Sequence, residues 1–93
     1  MILPPEIYSF VLNEYLLSKG FLPKFMGTEY LMYEKESQQI KIYRSSFKLP
    51  IKEVQTILQK LDCPIHEFKT FCEHFMQSKE FEDGLNQTLP NED

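Results

Sequence analysis

The residues best suited to chemistry in this 93-residue chain are few, and their spacing narrows what they can do. Cys63 and Cys72 are nine positions apart, and His66 and His74 are eight apart on the same segment. Neither spacing is that of a CxxC pair or a zinc-ligand set, so reduced core thiols and solvated helix histidines are expected, with no metal and no cofactor. Glu34 and Glu36 flank a turn and read as solvated charges. No serine or threonine stands in a spacing that builds a hydrolase triad with either histidine. The glycines Gly20, Gly27 and Gly84 are too far apart to form a phosphate-cradling loop, which excludes nucleotide hydrolysis of the P-loop type.

Charge is the more informative chemistry. The chain carries a formal net charge of -4, distributed unevenly. Residues 31–60 hold six basic against three acidic side chains, whereas residues 61–93 hold two against eight. A basic centre can meet an anion, and an acidic end repels one.

The elements that must position these charges follow from periodicity. Pro4-Pro5 opens a helix expected over about residues 5–19, with Ile7, Tyr8, Val11, Leu12, Tyr15 and Leu16 as its apolar stripe and Gly20 as its terminator. A short strand follows over residues 21–26, where Pro23 confines it to an edge or to partial pairing. Tyr30 to Glu34 and Ile40 to Tyr43 alternate with period 2 around the polar turn Lys35-Glu36-Ser37-Gln38. Beyond Arg44 and the basic loop, Pro50 stands at a helix start, and Ile51, Val54, Ile57, Leu58 and Leu61 recur at helical spacing. Pro64 opens a third helix with an aromatic stripe of Phe68, Phe71 and Phe75.

The expected fold is therefore α+β with the order α-β-β-β-α: a three-stranded antiparallel sheet with two helices on one face, plus an additional C-terminal helix. Its core draws on Tyr30 or Leu31 with Ile40, Ile42, Val54 and Leu58. Ninety-three residues make one domain. Residues 1–80 are assigned to it, and residues 81–93 are expected to be an acidic, flexible tail. The stripe of Phe68, Phe71 and Phe75 needs a cover, from within the chain, from a second copy in a homodimer, or from a separate protein partner. No run approaches the ~18 apolar residues of a membrane span, and the start of the chain lacks signal-peptide character, so a cytoplasmic location is expected.

A resemblance takes the reading further. Leu12 to Phe21, ending in Lys19-Gly20-Phe21, then Gly27-Thr28-Glu29-Tyr30, then Ile40-Lys41-Ile42, and then Lys52 to Asp62 ahead of Glu67-Phe68, resembles the HicA family of small toxins over about residues 7–68. The resemblance implies a double-stranded-RNA-binding-domain-like fold and a HicB-like antitoxin as partner. It also implies RNA contact through Thr28 and through Lys41, Arg44, Lys48 and Lys52, where the family's basic strand and loop meet phosphates. The family cleaves with the histidine of a Gly-Ser-His motif, and here that position is Glu29. Imidazole supplies acid and base near neutrality without perturbation, and a carboxylate does so only if its pKa is raised. The expectation is therefore weak, sequence-independent binding of double-stranded RNA without cleavage. A small interaction or regulatory protein on the same fold is the alternative.

Overall fold

Two proline-led segments, rather than side-chain caps, start the first two long helices. The structure, a computed structural model, describes residues 3–43 and 48–88. Strand β1 (Glu6–Tyr8) runs directly into helix α1 (Ser9–Ser18), and strand β5 (Lys48–Pro50) runs directly into helix α2 (Ile51–Lys60). The two strands pair antiparallel, with Ile7 opposite Leu49, and both of these side chains are buried. The first N–H of α2 is satisfied by the carbonyl of Pro5 at 2.8 Å, so the paired segment does the work of a cap.

This differs from the helix expected over residues 5–19. The diproline holds the chain extended, β5 supplies the hydrogen-bond partners for residues 6–8, and the helix begins only at Ser9. Pro50 and Pro64 likewise stand one residue before their helices, with ψ of 142° and 138°, and not inside them.

The main sheet is the antiparallel meander β2-β3-β4, made by β2 (Leu22–Met26), β3 (Tyr30–Lys35) and β4 (Gln38–Tyr43). Its central register sets Leu31 opposite Ile42 and Tyr33 opposite Ile40. Because side chains alternate across a strand, those four residues share one face. Leu31, Tyr33 and Ile42 are buried there, with Ile40 half-buried beside them. Edge strand β2 holds Pro23, and its register shifts between Pro23 and Phe25.

Helices α1 and α2 cover the inner face. Val11, Leu12, Tyr15 and Leu16 of α1 and Val54, Ile57 and Leu58 of α2 join Leu31, Tyr33 and Ile42 in one buried cluster. Each fully buried aliphatic side chain contributes about 1.5–3 kcal/mol by leaving water. Helix α3 (Ile65–Phe75) lies against α1, where Phe68 meets Tyr15 edge-on at 5.1 Å and Lys19 Nζ reaches Glu67 Oε2 at 3.0 Å.

Both α1 and α2 end in the same backbone device. After α1, the N–H of Phe21 bonds to the carbonyl of Leu16 and that of Gly20 to Leu17; after α2, Cys63 bonds to Leu58 and Asp62 to Gln59. This pair of hydrogen bonds is a Schellman closure, and it needs a left-handed residue at the turn. Gly20 supplies it at φ 94°, and Asp62 supplies it at φ 58°.

A fourth helix, α4 (Lys79–Thr88), occupies the stretch where a flexible tail was expected to begin at residue 81. Ser78 Oγ accepts the N–H of Phe81 at 3.3 Å, and Glu80 and Glu82 fill the first turn. Those are the cap and the charge that a helix start favours. Phe81 then enters an aromatic cluster, with ring centroids 5.7 Å from Phe10 and 6.1 Å from both Tyr8 and Phe75. The domain boundary drawn at residue 80 thus falls inside α4, and residues 89–93 of the expected tail lie outside the described residues. Among the described residues no helix is long and apolar enough to cross a membrane.

Candidate nucleic-acid interface

The outer face of the meander is built by the same alternation that builds the core. With Leu31 and Tyr33 turned inward, Tyr30, Met32 and Glu34 of β3 turn outward, opposite Tyr43, Lys41 and Gln39 of β4. From β2, Phe25 stands opposite Met32 and Leu22 opposite Glu34. This face stays open: Leu22, Phe25 and Tyr43 are 62%, 48% and 53% exposed. Aromatic rings cross it strand by strand, with Phe25 to Tyr30 at 5.1 Å and Tyr30 to Tyr43 at 6.0 Å between centroids.

Lys41, one of the cations singled out in the sequence, lies on this face with its ammonium 4.6 Å from the centroid of Tyr30. A contact of this kind at an exposed site contributes roughly 0.5–1 kcal/mol. Glu34 is the opposing charge. Its carboxylate accepts from Gln39 Nε2 at 2.7 Å and pairs with Lys24 Nζ at 3.5 Å. The Gln39 hydrogen bond, assisted by Lys24, holds it below the ordinary carboxylate range.

The remaining candidates are spread over several elements. Lys48 is on β5, exposed, with its ammonium 5.0 Å from the ring of Tyr8. Lys52, on the first turn of α2, borders a groove of about 630 Å³ together with Gln55, Thr56, Gln59 and Asp62. Thr28 and Glu29 are exposed between β2 and β3, while both histidines sit on α3. Arg44 lies outside the described residues. Among the described residues, Lys41 is thus the candidate cation that shares a face with the ring row.

The proposed partner-binding stripe divides. Phe68 is fully buried and belongs to the core, so it presents no surface to a partner. Phe71 and Phe75 are half-buried, stacked on each other at 5.2 Å, and border a shallow depression with Thr70, His74 and Ser78. The chain therefore supplies most of the cover for this stripe itself, through Tyr15, Phe10 and Phe81.

Cys72 is buried, and burial pushes its thiol up to about 11. Cys63 is half-buried. Among the described residues no group of three His, Cys, Asp or Glu side chains could hold a metal ion.

The sequence reading missed Phe25 and Tyr43 as surface residues and left Tyr30 undecided between core and surface. The signal was available in the register. Once Leu31, Tyr33 and Ile42 fill the core, parity sends Tyr30 and Tyr43 outward together. No family model, curated protein or solved structure matches this chain.

Proposed function

We propose that this chain is an RNA-binding protein of HicA-like plan that does not cleave its ligand. The observation that supports it best is the placing of exposed lysine ammonium groups over aromatic rings, Lys41 on Tyr30 and Lys48 on Tyr8. Neither makes an ion pair among the described residues. Each is therefore a cation free to meet a phosphate, carried by a strand. Glu29, at the resemblance's catalytic position, is exposed in the turn between β2 and β3 and has no histidine beside it in sequence. That favours binding over strand scission.

Recognition would be by charge and shape, with affinity falling steeply as salt rises because each neutralised phosphate releases counterions. Filter binding of radiolabelled RNA to the full chain tests it. Lys41→Ala and Lys48→Ala should each weaken retention across all sequences and lower the slope of log affinity against log salt by about one, and the RNA should be recovered intact. Absence of any retention at low salt would sink the RNA reading. A protein-interaction role, for which the Phe71 and Phe75 depression is the surface to test, would then take its place.

A further inference from the structure

We propose that the outer face of β2-β3-β4 is a base-stacking platform for single-stranded RNA, with Phe25, Tyr30 and Tyr43 taking bases and Lys41 taking phosphate. This rests on the RNA reading above and specifies its surface and its ligand.

Three features carry it. First, the rings form a connected row, one from each of three adjacent strands, at centroid separations of 5.1 and 6.0 Å. Tyr30 and Tyr43 are directly paired, so the strand spacing of about 4.8 Å sets them side by side, and Phe25, paired with Met32, reaches Tyr30 on the diagonal. Second, among the described residues α1 and α2 are both committed to the opposite face, and Leu22, Phe25 and Tyr43 stay exposed. Large apolar side chains clustered on an exposed face mark a binding surface, and the two tyrosines add hydroxyls at ease in water.

Third, the sign of the charge selects the occupant. The chain as a whole is negative, at -4, yet this face carries Lys24 and Lys41 against the single carboxylate of Glu34. Glu34 is occupied by Lys24 and Gln39, and among the described residues of this face Lys41 is the cation without a carboxylate partner. A second copy of the chain would bring the same positive sign to the face. A single-stranded nucleic acid brings the opposite sign together with flat rings.

The arrangement also suits exchange. The Lys41 ammonium rests on the face of Tyr30 in the free protein. A base that takes that ring face displaces the ammonium, which then reaches the neighbouring phosphate. A duplex keeps its bases stacked inward and offers no ring face, so single strands are preferred. Every base has such a face, so the platform tolerates sequence.

The test is fluorescence anisotropy of the full chain with a fluorescein-labelled oligouridine and, separately, with an RNA duplex of equal length. The single strand should bind more tightly than the duplex. Tyr43→Ala and Phe25→Ala, both at exposed positions that leave the core untouched, should each weaken single-strand binding by about fivefold or more. Lys41→Ala should reduce the salt slope by about 0.7. Tyr30→Leu, which keeps a bulky side chain in the central strand, guards against loss of fold, and circular dichroism confirms that each variant remains native. Single-strand binding unaffected by the aromatic substitutions, or a duplex bound as tightly as the single strand, would overturn the platform and leave the RNA reading standing. If neither RNA binds, both fall. If light scattering finds a dimer that Phe25→Ala disperses, the face belongs to a second copy and the inference is overturned.

Discussion

Glu34 is the residue whose environment makes the clearest demand on pH. Its carboxylate accepts from Gln39 and pairs with Lys24, and its folded pKa lies below the ordinary 4.5. A depressed carboxylate stabilises the fold above its unfolded pKa and loses that contribution as pH falls through the folded value. Glu34→Gln should therefore melt below wild type near neutral pH, with the two curves converging in acid below the carboxylate range. A gap that persists in acid would assign the effect to packing instead. Tyr15 is a different case. Burial, then the negative charge that Cys63 and Glu67 would carry, pushes its phenol well above the usual value. Its ring lies edge-on to Phe68 and Phe71. At this scale the sequence told cations from core well, since Lys41, Lys48 and Lys52 are all exposed and Leu58 is buried. It could not assign the phenylalanines of α3. A helical stripe shows which residues share a side, and only tertiary contact shows that Phe68 is enclosed while Phe71 and Phe75 are half covered.

Among the elements, the two Schellman closures offer a matched comparison. Gly20 adopts φ 94° at the end of α1 without cost, whereas Asp62 holds φ 58° at the end of α2 with a side chain in a region that disfavours one. Asp62→Gly should raise stability by about 1 kcal/mol in a urea titration; a loss would mean that the carboxylate makes a compensating contribution there. Helix α4 invites the reverse test. Replacing glycine by alanine inside a helix ordinarily helps by about 1 kcal/mol. At Gly84, however, a Cβ would collide with the ring of Phe10. Gly84→Ala should therefore destabilise the protein and expose the Phe10–Phe81 stack to quenchers, and a stabilised variant would show that α4 is not seated there. This helix was legible in part. Ser78 with Glu80 and Glu82 is a helix-start signal, but its weight was lost against the polar composition of the residues that follow. The strands β1 and β5 were not legible. Three residues cannot display a period, and their pairing partners lie in opposite halves of the chain.

Taken as one molecule, the protein has an α+β plan that could be read in advance because its parts are mostly local. The meander β2-β3-β4 is joined by short turns, and α1 and α2 each declare themselves by an apolar stripe with a defined end. The exception is the antiparallel pair that sets Ile7 against Leu49 and ties the start of α1 to the start of α2. That pair has a consequence in time. Hairpins close over a few residues, whereas β1 reaches β5 only after the whole meander between them has been gathered in, at a loop-closure cost that local pairs avoid. The clasp is then expected to form after the meander and to open before it. Ile7→Val, a loss of one buried methyl group worth about 0.5–1.5 kcal/mol, should accelerate unfolding in stopped-flow mixing and leave refolding almost unchanged. Slowed refolding would instead place the clasp in the folding nucleus. A clasp that closes after the meander would let six residues at the junction of the two helices govern how soon the native state opens.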